Sequence, residues 1–234
     1  MSPKILGRKA YHRIPHLHGS HLSKGDFRIP LGQSKICTEK ERKGDKVIVQ
    51  EKLDGSSVAI ARIDGILIPV VRSGNSAMET KYRQHKMFAN WFYSNQDHFE
   101  FLEEDQRLCG EWLAQAHGTK YDLQHIPFVP FDLLGPGGAK LYDEFNSIVP
   151  DWFPRPYLLH EGGSFSIAEA EQALGQFGHH GATELAEGAV WRVERDGKLE
   201  FMAKYVREDK APGEYLERYG AEPVWNLGLE KWIS

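Results

Sequence analysis

Cysteine is nearly missing from this chain: Cys37 and Cys109 are the only two thiols in 234 residues. Two thiols make neither a disulfide framework nor the paired spacing of a zinc site, so a reduced setting is expected. Long apolar runs are missing too. The opening "MSPKILGRKAYHRIPHLHGS" holds no stretch long enough for a secretory signal, and no later segment is long enough to span a bilayer. The expectation is a cytoplasmic protein with no membrane partner. Nor is there an excess of positive charge: 29 Lys and Arg against 33 Asp and Glu leave a net −4. That argues against non-specific coating of nucleic acid but leaves room for a local basic groove.

Several catalytic signatures are absent as well. The glycine-rich "GPGGAK" at Gly135–Lys140 has no Ser or Thr after Lys140, so it is a turn rather than a phosphate-cradling loop. No Gly-x-Ser-x-Gly elbow occurs. His12, His16, His18 and His21 lie close enough in sequence to share a metal, but no Cys or acidic partner completes a tetrahedron, and the stretch reads as a polar arm. Internal repeats and low-complexity linkers are lacking.

What remains is an ordinary globular composition, 41% hydrophobic and 26% charged, with 12% aromatic residues. Residues 1–35 read as an extended arm, and Lys35–Lys46 as a solvated connection ending in a Gly-Asp turn. Val47–Lys52, Ser57–Ile63 and Ile66–Arg72 read as a meander of three strands, with "IDG" turning the second into the third. Tyr82–Tyr93 has helical spacing. Arg107–Ala114 and Pro127–Gly135 are strands. Ile167–Phe177 is an amphipathic helix opened by a Ser166/Glu169 capping box. Gly188–Val206 is a hairpin turning at Arg195-Asp196-Gly197, and Pro212–Tyr219 a short last helix. Strands arriving as antiparallel hairpins with helices between them predict a single α+β domain over 1–234, built on antiparallel sheets with flanking helices.

The residue that carries chemistry is Lys52, where an apolar β-branched run meets "LDG". A strand-end lysine before an Asp-Gly turn is commonplace. As a nucleophile, however, an amine with an ordinary pKa near ~10.4 must lose its proton, which requires desolvation and cationic neighbours. Suitable company follows in order: Arg72 in "VRSGNS", Glu111, His117 and Tyr121 in "CGEWLAQAHGTKYD", and Phe131 and Asp132 in "PFVPFDLLG". Glu187 in "AEGAVWRV" and Lys204 and Arg207 in "FMAKYVRED" complete the series.

This ordered set resembles the covalent nucleotidyltransferase superfamily, and within it the ATP-dependent RNA ligase family, on the branch of double-strand-sealing phage-type enzymes. The likeness runs from about Arg8 to Arg207. It implies a nucleotidyltransferase (ATP-grasp-like ligase adenylation) domain with Lys52 as the nucleophile that takes AMP from ATP. The AMP then passes to a 5′-phosphate end of RNA, which is sealed to a 3′-hydroxyl. It further implies that Glu51 lies beside the adenine, that Asp54 and Gly55 form the turn presenting the amine, and that Arg72 binds ribose or phosphate. Glu111 would accept from the ribose hydroxyl, and Phe131 would stack on the base with Asp132 supporting the site. Glu187 would hold Mg²⁺ or Mn²⁺. Lys204 would grip the α-phosphate and depress the pKa of Lys52, with Arg207 in support.

Two positions depart from the pattern. Met202 stands where the superfamily has the first lysine of Lys-x-Lys, and Ser57 stands where the phage-type branch has asparagine. Only 27 residues follow Arg207, too few for an OB-fold or helical nucleic-acid domain. RNA ends are thus expected to be held by the core and arm, or presented by a partner protein. A DNA ligase, a transferase using another nucleotide, and a binding module that has lost turnover are the alternatives.

Overall fold

The structure is a computed structural model that describes residues 5–210, 213–216 and 222–232. Among the described residues nine strands form two antiparallel sheets. The first holds β1 (Lys46–Lys52), β7 (Leu158–Gly162), β8 (Gly188–Arg195) and β9 (Lys198–Val206) in the order β7-β1-β8-β9. The second holds β2 (Ser56–Ile63), β3 (Ile66–Val71), β4 (Arg107–Trp112), β5 (Phe128–Gly135) and the short β6 (Gly138–Ala139), in the order β3-β2-β4-β5-β6. The helices are α1 (Leu31–Thr38), α2 (Arg83–Ser94), α3 (Tyr142–Ile148) and α4 (Ile167–Leu174). No helix among the described residues is long and apolar enough to cross a membrane.

The α+β class, the β2–β3 and β8–β9 hairpins and the boxed N-terminus of α4 agree with the sequence reading; the Ser166 hydroxyl accepts from the Glu169 N–H at 3.2 Å. The three-strand meander does not. β1 pairs with β7 and β8, whereas β2 pairs with β3 and β4. Leu53–Gly55 therefore carries the chain from one sheet to the other. Local alternation marks a strand but not its partner, and a three-residue link suits a crossing as well as a hairpin. The 1–35 arm ends at α1, which takes Lys35–Thr38 out of the expected connection. α3 and β7 had no clear periodicity to announce them. Of the expected Pro212–Tyr219 helix, 213–216 is turn and bend and the rest lies outside the described residues.

Period-two alternation sorts each strand between an outer core and a shared inner face. Outside the five-stranded sheet, α2 packs Phe88, Trp91 and Phe92 against Trp112, Phe128 and Phe99. Outside the four-stranded sheet, Val47, Val49, Trp191, Val193 and Ala203 pack with α1 and α4 residues. The residues between them in sequence face inward: Gln50 and Lys52 on β1, Val190 and Arg192 on β8, Met202 and Lys204 on β9. Ser57, Cys109 and Glu111 do the same on the second sheet.

One break in this rhythm matters. Cys109 pairs with Asp132 and Gly110 with Pro130, so Phe131 is the extra residue of a β-bulge. Asp132 already faces inward opposite Cys109, and the bulge turns Phe131 to the same side.

The sheets are clasped at depth by Arg192. Its Nη1 lies 3.4 Å from Asp132 Oδ1 on the opposite sheet, its Nε donates to Glu194 at 2.5 Å, and Nη2 donates to the Lys140 carbonyl. All three side chains are buried. Removing the cation strands two buried carboxylates, so Arg192→Met is expected to lower unfolding free energy by about 3–5 kcal/mol in urea titration.

Candidate active site

The crossing from β1 to β2 is the centre of the site. Lys52 is the last residue of β1 and lies opposite Gly188 of β8, so Glu187, one residue earlier, is delivered to the lysine. Gly188 has φ +154, and a Cβ there would run into the Tyr205 carbonyl, so only glycine allows β8 and β9 to close at this point. Lys52 Nζ forms an ion pair with Glu187 Oε2 and lies 3.3 Å from the Leu53 carbonyl.

The crossing itself is held by three bonds to β4 and to the segment that follows it. The Asp54 N–H donates to Tyr121 Oη at 3.0 Å, the Gly55 N–H donates to Glu111 Oε1 at 3.0 Å, and the Gly118 N–H donates to Asp54 Oδ2 at 2.7 Å. A Cβ on Gly55 would sit 2.5 Å from the Trp112 carbonyl. The turn is pinned so that the lysine amine stays in the cleft.

Lys52, Asp54, Gly55 and Glu51 line one cavity of about 1300 Å³ between the sheets. Arg72, Glu111, Phe131 and Lys204 line the same cavity. Three expected residues stand behind it. Glu187 meets the cavity through Lys52. Asp132 accepts from Tyr11 Oη at 3.0 Å and faces Arg192. Arg207 caps α4, donating to the Gly175 carbonyl at 2.5 Å and to the Gln176 carbonyl at 3.3 Å. Glu51 is only 2% exposed, and its carboxylate turns away from the lysine to accept from the His179 N–H at 2.8 Å.

Carboxylates outnumber cations around the amine. Burial pushes the Lys52 ammonium towards losing its proton, but Glu187, Asp54 and Glu111 outweigh that and hold its pKa above the usual value. The expected depression of Lys52 by Lys204 is therefore not the net result in this charge state; instead burial and Lys52 lower Lys204. Burial raises Glu187 to about 7 against the pull of Lys52, and raises Glu111 likewise to about 7.

Tyr11, Gln50, Val190 and His85 are cleft residues that the sequence reading did not single out. Tyr11, on the arm, lines the cavity, is 8% exposed, meets Phe131 edge-on at 5.0 Å between centroids and lies 3.4 Å from Met202 Sδ. Gln50 and Val190 line it by strand parity. His85 bonds Ser56 Oγ at 2.7 Å and Thr80 Oγ1 at 3.1 Å, and burial lowers it to about 4, so it is neutral at pH 7. His117 lies 3.1 Å from Gln84 Oε1. The Ser57 hydroxyl is buried without a hydrogen-bond partner. Of the arm histidines, His16 is buried near Asp26 and Ser20, and among the described residues no three His, Cys, Asp or Glu converge as a metal site.

The donor set fits a nucleotide with a divalent cation. Lys52, Lys204 and Arg72 offer cationic contacts to phosphate, Glu187 and Glu111 offer carboxylate oxygens, and the Tyr11–Phe131–Val190–Met202 end offers an apolar slot for a base.

Comparison with known proteins finds similarity in sequence and in fold. A sequence model of the RNA ligase family matches residues 45–206. A mutant of the Naegleria gruberi RNA ligase solved with ATP and Mn is 21% identical, with a TM-score of 0.52 over 70% of this chain and 50% of that one. Another mutant of that ligase, with AMP and Mn, is 19% identical with a TM-score of 0.50 over 70% and 50%. An archaeal ATP-dependent RNA ligase is 20% identical over 69% of this chain and 42% of that one, at a TM-score of 0.48. The chain thus spans about half the length of these structures. No curated protein matches it significantly.

The buried Glu51 generates a pH test. Its pKa rises from the ordinary 4.5 to about 7, mainly through burial. The unfolded chain therefore releases this proton first, so the stability tied to protonated Glu51 is complete below about pH 4.5 and disappears as pH rises through about 7. Glu51→Gln is expected to gain about 1–3 kcal/mol relative to the parent between pH 4.5 and 8, read from urea midpoints.

Proposed function

The chain belongs to the RNA ligase family, and from that premise we propose that it is an ATP-dependent RNA ligase whose Lys52 carries AMP between ATP and an RNA 5′-phosphate end. The observation that carries this reading is the Lys52 amine, held in the cleft by a pinned crossing, with Glu187 against it and Lys204 and Arg72 in the same cavity. In the first step deprotonated Nζ attacks the α-phosphorus, the bond to the β-phosphate oxygen breaks and pyrophosphate leaves. In the second, an oxygen of the RNA 5′-phosphate displaces Lys52 from the AMP phosphorus. In the third, the 3′-hydroxyl attacks the activated 5′-phosphate, AMP leaves and a phosphodiester remains.

The chain's own residues supply positioning and charge. Lys204 and Arg72 neutralise phosphate oxygens, which is the main requirement of such transfers. Phe131 stacks on the base, with Tyr11 bracing its edge, Asp132 fixing Tyr11, and the Glu51 backbone beside the base. Glu111 accepts from ribose while its other role is to hold Gly55. Glu187, and in its ionised state Glu111, provide oxygens for Mg²⁺ or Mn²⁺, which when bound supplies charge neutralisation at the phosphates. Glu187 would hold that cation, and so engaged it would no longer serve as the strongest counter-charge of Lys52.

A second reading follows from Met202 and from the unpartnered Ser57 hydroxyl: a nucleotide-binding module with little turnover. ATP labelled at the α-phosphate separates the two. With Mg²⁺ the parent is expected to form a covalent adduct, Lys52→Ala none, and Lys204→Ala at least ~100-fold less, the scale of losing one preorganised charge contact. ATP binding in calorimetry with no adduct would leave the second reading standing. Nicked duplexes with RNA or DNA ends, and a panel of four nucleotides, test the remaining specificity.

Tyr11 gives a separate test of the base slot. Tyr11→Ala is expected to raise the KM for ATP about tenfold, the worth of an aromatic contact with its buried area, while the adenylylation rate at saturation changes little. Tyr11→Phe keeps the ring and is expected to stay near the parent KM.

A further inference from the structure

We propose that the N-terminal arm is the surface on which the RNA strand docks as its end enters the cleft; this rests on the ligase reading above. Residues 5–30 expose Arg8, Lys9, Arg13, Lys24 and Arg28, with Asp26 the single acid among them. Asp26 is already engaged 3.2 Å from His16 Nε2. None of the five cations forms an ion pair among the described residues. In a chain of net −4 this is a concentration of unspent positive charge. Lys46, by contrast, is spent on Asp143 and Glu161.

The arm is a built surface. The His16 N–H donates to the Phe27 carbonyl at 2.8 Å and the Ile29 N–H to the His16 carbonyl at 2.9 Å, laying 27–29 beside 16. Arg13 Nη1 donates to the Gly25 carbonyl at 2.8 Å, which brings Arg13 to the loop that bears Lys24. Arg28 is bridged to His16 in the same layer. The arm also borders the reaction centre. His12 and Ile14 line the cleft, and the arm backbone pairs with Lys204 through the Leu17 N–H at 2.8 Å and the Pro15 carbonyl at 2.9 Å.

Among these cations Phe27 is 51% exposed. A cationic track with an open aromatic face is what a phosphate backbone and an unstacked base require. An acidic protein could use the same charges, but the arm runs along the rim of the nucleotide cleft, where an RNA end must enter, so RNA is the occupant favoured.

The test uses the full chain and a fluorescent nicked RNA duplex, with anisotropy titrations from 50 to 200 mM salt. Arg13→Glu/Lys24→Glu/Arg28→Glu is expected to weaken RNA binding at least tenfold and to reduce the log–log salt slope by about 2–3, the yield of three lost phosphate contacts. Lys24→Glu/Arg28→Glu, which leaves the Arg13–Gly25 bond intact, should give about two-thirds of that change. Phe27→Ala is expected to weaken binding about fivefold or more without altering the slope. Adduct formation from ATP should stay within twofold of the parent in all three. Unchanged RNA affinity and slope in both charge variants would overturn the docking surface, as would a parent that forms the adduct yet binds no RNA. A parent that binds RNA through the arm but forms no adduct would instead overturn the ligase reading and leave this one in place.

Discussion

A half-buried lysine keeps its charge through a nearby counter-charge, and the ion pair of Lys52 with Glu187 meets that demand where the two sheets join. β1 belongs to one sheet and ends on the lysine; the next residues enter the other. The cost of desolvating the ammonium is met by Glu187, Asp54 and Glu111 together, which places more negative than positive charge in one corner of the cleft. Burial, with the neighbouring carboxylates, raises two of those three to about 7. The site is therefore short of positive charge, a shortage that a bound cation would relieve.

Much of the fold was legible wherever a signal is local. The β8–β9 hairpin announces itself through alternation and Asp196-Gly197, and α4 through its Ser166/Glu169 box. Pairing between distant strands is not local. β1 and β2 look like successive strands of a meander because three intervening residues suit either outcome. Their separation depends on Val47 and Val49 finding Trp191 while Val58 and Ile60 find Trp112.

The site was legible to the extent that its residues fall at motif positions; eight of them line one cavity. What could not be read is what depends on tertiary placement. Phe131 and Asp132 are neighbours that a regular strand would point to opposite faces, and only the bulge turns both inward. Tyr11 lies in a stretch without periodicity, and its partner Asp132 is most of the domain away in sequence. The protonation of Lys52 was misjudged for a related reason. Lys204 is close by, but the balance is set by three carboxylates contributed by three different segments.

The arm ties these strands together. Its Ala10 N–H donates to the Arg72 carbonyl at 3.0 Å at the edge of the five-stranded sheet, and its Leu17 N–H to the Lys204 carbonyl at 2.8 Å at the edge of the four-stranded one. Arg107 Nε returns a bond to the Ala10 carbonyl at 2.8 Å. Eight residues thus span the cleft between its two outer cations and insert Tyr11 next to the first anchor. The separation of Arg72 from Lys204 is then set by the arm's length as well as by the Arg192 clasp beneath. Met202 fits this arrangement: next to a buried tyrosine that donates to Asp132, a second lysine would add an unpaired cation to the apolar base slot, whereas a thioether packs there at no such cost. The thioether of Met202 and insertion of the arm are thus two sides of one packing solution.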